Sequence, residues 1–191
     1  MTLPKPGDLL ENLPLTDTSS DGRALARLEN FVVFVEGGVP GDRADVHIYR
    51  KKKNFAEGRV ERIVTPSPDR IDPVCSHFGS CGGCKWQHFS YAKQLESKQA
   101  YVRDAFERIG KLDIPAQEPI LGSADIFAYR NRLDFSCANK RWLTREELNN
   151  GASAVCNVIG FHAPQRFDKV LDIDRCHLQD DRSNVIRKSV P

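Results

Sequence analysis

The sequence lacks the features that mark membrane and secreted proteins. No apolar run in its 191 residues approaches the roughly 18 residues of a membrane-spanning helix. The first stretch, MTLPKPGDLLENLPL, has no basic segment followed by an apolar one, so the sequence predicts no signal peptide. We therefore expect a cytoplasmic protein that binds no membrane. In such a reducing compartment, clustered cysteines favour metal or cluster ligands over disulfides.

The chain also lacks a strong excess of charge of either sign, internal repeats and low-complexity segments. Its net charge is +2, with 40% hydrophobic and 28% charged residues, which is ordinary for a globular protein. Positive charge is instead concentrated locally, with six basic and two acidic residues between Arg50 and Arg62. Such a strip is typical of nucleic-acid-binding surfaces, although a solvated hairpin tip has the same composition. The candidate nucleic-acid contacts are Arg50, Lys51, Lys52 and Lys53.

Alternating segments in the first third of the chain predict a small β-barrel. FVVFVE, RADVHIYR and AEGRVERIV have the composition or period-2 pattern of strands, and GGVPGD separates the first two as a turn. Four to five short strands without a helix are typical of an OB-type barrel, a fold that suits single-stranded nucleic acid. A helical pattern follows from Tyr91 to Ile109, with Ser90 as its expected N-cap and Gly110 just past its end. Strand-like segments then return.

These patterns predict an α+β fold with five segments. The predicted segments are an irregular lead-in (1–20), an OB-like barrel (21–64), a proline-rich linker (65–73), a cysteine loop (74–90), and a helix with a mixed α/β central domain (91–191).

Three of the six cysteines lie within ten residues, at the spacing C-x5-C-x2-C. They are Cys75, Cys81 and Cys84, and two glycines separate the last pair. Zinc sites often use two C-x2-C pairs, whereas this chain has one, so the spacing favours a [4Fe–4S] cluster over zinc, with redox-active thiols as a third interpretation. A nucleophilic cysteine would need a positioned base, and thiols packed together are more typical of ligands. The candidates for a fourth ligand are Cys137, Cys156 and Cys176; Cys176 follows a strand end among polar residues, where a ligand can turn outward.

The string CSHFGSCGGCKWQH, followed by Y-x2-Q-L-x2-K, resembles the bacterial RNA uracil-5-methyltransferases of the ribosomal-RNA branch. YRNRLDF (129–135), IGFH (159–162) and VLDIDRCHLQ (170–179) match that family in the same order. The barrel is similar to the family's TRAM domain, an OB-like RNA-binding module. The resemblance covers about residues 15–187.

The resemblance implies a [4Fe–4S] cluster held by Cys75, Cys81, Cys84 and Cys176. It implies that the barrel and the central domain bind ribosomal RNA, with Arg130 and Arg132 as candidate phosphate contacts, although surface ion pairs would explain these arginines equally well. The implied reaction is transfer of a methyl group from S-adenosylmethionine to C5 of a uridine in 23S ribosomal RNA.

The sequence departs from the family in one large respect. The S-adenosylmethionine-binding Rossmann-like domain is missing, and no glycine-rich strand-to-helix turn after residue 122 replaces it. The family's nucleophile and general base lie in that missing part, so no catalytic residue and no S-adenosylmethionine-binding residue is predicted here. We expect this chain to be a monomeric, truncated portion of the enzyme that is inactive alone.

Three other interpretations stay open at this point. The first is a zinc- or cluster-containing RNA-binding adaptor without catalytic activity. The second is a tRNA methylthiotransferase, which is disfavoured because those enzymes use C-x3-C-x2-C and carry TRAM at the C-terminus. The third is the tRNA-specific branch of the same family, many members of which lack the cluster cysteines.

Overall fold

The computed structural model describes residues 3–190, and the chain divides into two compact units. The first unit runs to Asp72 and resumes from His88 to Gly122, whereas the second contains Pro73–Gln87 and the chain from Ser123 onward. The sequence predicts five segments in linear order, with the helix in the central domain. In the structure the helix belongs to the same unit as the barrel, and the cysteine loop belongs to the other unit.

Six strands form one sheet in the first unit. They are β1 (Leu9–Pro14), β2 (Asp17–Thr18), β3 (Ala24–Leu28), β4 (Phe31–Glu36), β5 (Arg43–Lys51) and β6 (Phe55–Thr65). Their order is β1-β5-β6-β4-β3-β2, and only β4 and β6 run parallel. Because two residues join β1 to β2 although these strands lie at opposite ends of the order, the sheet must curl round, as in a small barrel.

Alternation along the strands builds the barrel core. In β4, Phe31, Val33 and Val35 are buried, while Val32 and Phe34 are only partly buried on the other face. The buried core side chains are Leu13, Leu15, Ala24, Ala26, Phe31, Val33, Val35, Ala44, Val46, Ile48 and Ala56. Burial of this apolar surface is the main favourable term for folding.

The barrel begins earlier than the sequence predicts, because β1 and β2 lie in the segment 1–20 that was expected to be irregular. The register of β1 shifts between Leu10 and Leu13, and Asn12 takes a left-handed φ of 50°. This irregularity disrupts the alternation that identifies a strand in sequence.

A buried carboxylate fixes the segment that leaves the barrel. The Asp42 side chain is fully buried and accepts hydrogen bonds from the backbone N–H groups of Val39 (2.8 Å) and Ser67 (2.9 Å). Arg70 Nε and Nη2 also donate to it, at 3.1 and 2.6 Å. Burial opposes ionisation of Asp42, but the hydrogen bonds from Arg70, Ser67 and Val39 outweigh it and lower the pKa.

Helix α1 (Tyr91–Asp104) is extended by a π-helical turn at Ala105–Ile109, so the predicted helix is confirmed over its length. Its ends differ from the prediction: Ser90 makes no side-chain cap, and Lys111, not Gly110, has the positive φ (53°). No residue of the helix is buried. Among residues 3–190, no helix is both long and apolar enough to cross a membrane.

The second unit contains a three-stranded antiparallel sheet and two short helices. The strands are β7 (Ser136–Ala138), β8 (Val158–Ala163) and β9 (Arg166–Asp172), and the helices are α2 (Arg145–Asn149) and α3 (Asp181–Ser189). At Gly160 in β8 an added Cβ would lie 1.7 Å from the Leu171 carbonyl oxygen, so no larger residue fits without moving β9. The unit's small core includes Ile173, Cys176 and Leu178, directly after β9.

Candidate metal centre

Four of the six cysteines surround one cavity in the second unit. Cys75, Cys81, Cys84 and Cys176 all line it, whereas Cys137 and Cys156 do not. Its volume is about 60 Å³, several times the roughly 10–15 Å³ that one water molecule requires. The remaining wall is largely apolar and includes Leu133, Phe161, Ile173 and Leu178. The structure therefore brings together the four cysteines of the predicted ligand set.

Tight turns place the three cysteines of the loop. The backbone N–H of Cys81 donates to the His77 carbonyl at 2.8 Å, and the N–H of Gly83 donates to the Cys81 sulfur at 3.4 Å. At Gly82 an added Cβ would lie 3.0 Å from the His162 carbonyl oxygen. The small residues between Cys81 and Cys84 thus let the loop lie against the hairpin and expose an N–H group to a sulfur.

Gln87 is a functional candidate to which the sequence assigned no role. Its Nε2 donates to the Cys84 sulfur at 3.3 Å, and its Oε1 accepts the backbone N–H of Cys75 at 3.1 Å. One side chain therefore links two of the predicted ligands, as outer residues often do around metal sites. The sequence feature that points to this role is the position of Gln87, three residues after Cys84.

Asn184 on helix α3 positions the fourth cysteine. Its Oδ1 accepts the backbone N–H of Cys176 at 2.8 Å, and its Nδ2 donates to the Cys176 carbonyl at 3.0 Å. Both residues are buried. The sequence had no signal for this contact, because only the folded turn after β9 brings the amide and the cysteine backbone together.

Electrostatics in the cavity oppose free thiolates. Burial raises the pKa of the Cys81 and Cys84 thiols, while hydrogen bonds from Gly83 and Gln87 act in the opposite direction. The Arg130 guanidinium also lines the cavity and favours ionisation of Cys84. Because metal ligands must be deprotonated, a bound cationic centre would stabilise the thiolate forms of these partly buried cysteines.

The identity of the donor atoms bears on the kind of metal centre. Among residues 3–190, no three or more Cys, His, Asp or Glu side chains stand close enough to hold a single ion. A tetrahedral zinc with Zn–S bonds near 2.3 Å would need sulfurs only about 3.8 Å apart. A [4Fe–4S] cluster takes one cysteine on each of four irons, so it suits four thiols spread around a cavity. Four cysteines around one cavity are a donor set that fits a [4Fe–4S] cluster, and four cysteines can also bind a structural zinc ion.

The predicted RNA-contact residues occupy different settings. Lys51 is the last residue of β5 and is partly buried, whereas Lys52 and Lys53 are exposed in the turn between β5 and β6. Arg50 pairs with Glu57 at 3.1 Å. Arg132 is exposed and lies 3.3 Å from Asp134.

Arg130 differs from the other candidates because it lines the cysteine cavity. Its guanidinium also lies 5.7 Å from the centre of the Tyr129 ring. Contact with Tyr129, and then the nearby cysteines, raise the pKa of Arg130. Arg130 is therefore an exposed residue that also forms part of the cavity wall.

The comparisons with known proteins agree with the sequence resemblance. Residues 13–60 match the TRAM domain family. An uncharacterized RNA methyltransferase of Porphyromonas gingivalis is 46% identical over 179 residues, which is 92% of this chain and 38% of that protein. Another, of Bacteroides thetaiotaomicron, is 47% identical over 90% of this chain and 38% of its own length. The chain thus spans well under half the length of these curated relatives.

A solved structure with a similar fold is the tRNA (uracil-54, C5)-methyltransferase of Pyrococcus abyssi in complex with S-adenosyl-L-homocysteine. It is 24% identical, with a TM-score of 0.53, and the match covers 93% of this chain and 35% of that one. At this identity the likeness concerns the fold alone.

Proposed function

This chain belongs to the RNA methyltransferases that carry a TRAM domain, and we propose that it is the RNA-binding, cluster-carrying portion of an RNA uracil-5-methyltransferase. The complete enzyme would transfer a methyl group from S-adenosylmethionine to C5 of a uridine in 23S ribosomal RNA, in the cytoplasm. The observation that carries the proposal is the convergence on one cavity of the four cysteines expected from the family pattern.

The proposed ligands of a [4Fe–4S] cluster are Cys75, Cys81, Cys84 and Cys176. Gln87 and Asn184 would hold two of these ligands in place through the hydrogen bonds described above. The cluster would supply a covalent link between the cysteine loop and the turn after β9. We assign it a structural role, because the cavity wall is largely apolar.

The assignment to ribosomal RNA rests on the cysteines themselves. Many members of the tRNA branch lack the cluster cysteines, whereas this chain has all four. Lys51 at the end of β5 and Lys52 and Lys53 in the turn that follows would contact phosphates, together with Arg50 and Arg132. Phosphate contacts of this kind would position the RNA without reading its sequence.

The chemistry would belong to the remainder of the enzyme. C5 of uridine is a poor nucleophile until a thiolate adds to C6, and the base must leave its stack to be reached. None of the six cysteines here matches the family's nucleophile, so this chain would contribute RNA binding and positioning. We expect the 191-residue chain to transfer no labelled methyl group to ribosomal RNA, and measurable transfer would refute this assignment.

Metal analysis of protein purified without oxygen tests the cluster directly. Four iron and four acid-labile sulfide per chain, with a visible absorption band, are the expected result. Stoichiometric zinc without sulfide would instead favour the zinc-containing RNA-binding adaptor. If the protein is isolated without metal, anaerobic reconstitution with iron and sulfide decides, because failure to take up the cluster under those conditions would contradict the proposal.

A further inference from the structure

Helix α3 lies in the second unit without burying an apolar side chain. Of its nine residues only Asn184 and Arg187 are buried, whereas Val185 and Ile186 are 68% and 66% exposed. A helix this short is marginal by itself in water, because isolated helices need roughly 12–15 residues. Asp181 pairs with an arginine of the preceding turn at 2.8 Å, but both side chains are more than half exposed, so this ion pair adds little. The position of α3 therefore depends mainly on its two buried polar side chains.

Both of these side chains bind the backbone of the turn that follows β9, residues 173–179. Asn184 bonds to the N–H and to the carbonyl of Cys176, as described above. Arg187 donates through Nη2 to the carbonyls of Ile173 and Asp174. Because hydrogen bonds weaken steeply away from their preferred distances and angles, these contacts require one particular arrangement of the turn.

The buried charge of Arg187 makes the docking of α3 sensitive to that arrangement. Its Nη1 also donates to the Ile159 carbonyl at 3.0 Å, and its Nε is buried without a hydrogen-bond partner among residues 3–190. A buried guanidinium that loses acceptors is strongly destabilised, whereas an exposed one is hydrated by water. If the turn moves, Arg187 is therefore more stable in water than in its buried position, and α3 leaves the turn with it.

The metal centre would hold the same turn from the other side. The sulfur of Cys176 lines the cavity together with the three loop cysteines, so a metal centre bound to all four would tie the turn to the loop. Cys176 would then be held by the metal through its sulfur and by Asn184 through its backbone. Two contacts that require the same conformation of one residue favour each other, and such coupling acts in both directions.

Without the metal, only non-covalent contacts connect the turn to its surroundings. The backbone N–H of Asp174 donates to His77 Nε2 at 2.9 Å, and the N–H of Arg130 donates to the Leu178 carbonyl at 2.8 Å. Neither of these contacts involves Cys176. The backbone that Asn184 must bind therefore becomes less constrained when the cysteine sulfur is released.

We propose that α3 is a metal-dependent latch, which is docked on the turn while Cys176 is bound to the metal centre and is released when that centre is lost. The inference rests on the proposed metal centre and adds a conformational response to it. Loss of the metal would change the surface that α3 presents, so the protein would report the occupancy of the centre. The alternative is that the other contacts of the turn keep α3 docked with or without metal.

The test compares hydrogen–deuterium exchange in the metal-loaded chain and in the same chain after removal of the metal by a chelator without oxygen. We expect peptides that cover α3 to exchange about 5- to 150-fold faster without the metal, the usual range for coupling between two sites. Strand β8 should remain protected in the metal-free chain, because its backbone pairs with β7 and β9. It therefore distinguishes release of α3 from unfolding of the whole second unit.

Asn184→Ala tests the coupling in the reverse direction. It should speed exchange of α3 in the metal-loaded chain, and it should also weaken metal retention against a competing chelator by up to the same factor. Val185→Ala is the matched control, because valine and asparagine have similar helix propensities and Val185 is exposed. It should leave both α3 exchange and metal retention unchanged.

The outcomes separate failure of the latch from failure of the metal centre. Unchanged exchange of α3 after metal removal, or loss of protection in α3 and β8 together, would overturn the latch and leave the metal centre standing. Equal metal retention by the Asn184→Ala and Val185→Ala variants would overturn the latch as well. A chain that takes up no metal even on anaerobic reconstitution would overturn the metal centre and the latch together.

Discussion

Replacement of Cys176 by alanine tests the proposed structural role of the cluster. Cys84 and Cys176 are about ninety residues apart in sequence, and a cluster bound to both would close that loop. A chain-entropy treatment of a cross-link closing a loop of this size gives about 4.5 kcal/mol of stabilisation. For a chain of this size, that corresponds to a fall in the melting temperature of about 10–20 °C. We therefore expect Cys176→Ala to lower the iron and sulfide content and the melting temperature together.

Cys156→Ala is the matched control, because Cys156 is a free cysteine that does not line the cavity. It should keep full cluster content and melt close to wild type. In metal-free protein the Cys176 variant should lose only the packing of one small buried side chain, about 1 kcal/mol. An unchanged melting temperature in the iron-loaded Cys176 variant, or an equal loss in the iron-free one, would refute the structural role.

Three further changes test other parts of the structure. Asp42→Asn should lower the free energy of unfolding by about 3 kcal/mol in denaturant titrations, since the partly buried Arg70 loses a fully buried carboxylate partner. This contribution should be present above the unfolded Asp pKa of about 3.9 and disappear as pH falls through the lowered pKa of the folded state. A loss of the same size at pH 2 would contradict this. Gln87→Leu should weaken iron retention against a chelator about 10- to 100-fold, and equal retention would exclude a supporting role. Gly160→Ala should lower the melting temperature markedly, because its Cβ would lie 1.7 Å from the Leu171 oxygen. Gly151→Ala is the control, since a Cβ there meets no atom within 4 Å. Because Gly151 has a positive φ, that substitution should still lower the free energy of unfolding by about 1 kcal/mol.

The features that could be predicted from the sequence are those whose signals are local. Strand β4 alternates without interruption, so both its existence and its inward face follow from FVVFVE. Helix α1 has a sustained apolar period, and its length was correct. The loop cysteines are close in sequence, so their convergence follows largely from chain connectivity.

The features that could not be predicted depend on distant residues. The shift at Asn12 hides β1, and the pairing of β2 with β3 is too short to leave a pattern. Helix α1 was assigned to the central domain because it follows the cysteine loop. In the structure the first unit resumes at His88, three residues before the helix begins. The His88 ring contacts the Gly38 carbonyl there at 3.2 Å.

The position of Arg130 separates two roles that the sequence could not distinguish. Arg130 and Arg132 lie two residues apart in YRNR, and both were candidates for phosphate contact. Only Arg130 lines the cysteine cavity, and its backbone N–H donates to the Leu178 carbonyl at 2.8 Å, which fixes it beside the turn that carries Cys176. Four thiolates on a cluster would place negative charge next to its guanidinium. Since that charge would be permanent and partly shielded from water, it would compete with RNA phosphate for Arg130. Arg132, which is 84% exposed, pairs with the equally exposed Asp134 and does not line that cavity. The most economical division is that Arg130 balances the charge of the metal centre and Arg132 remains available to RNA.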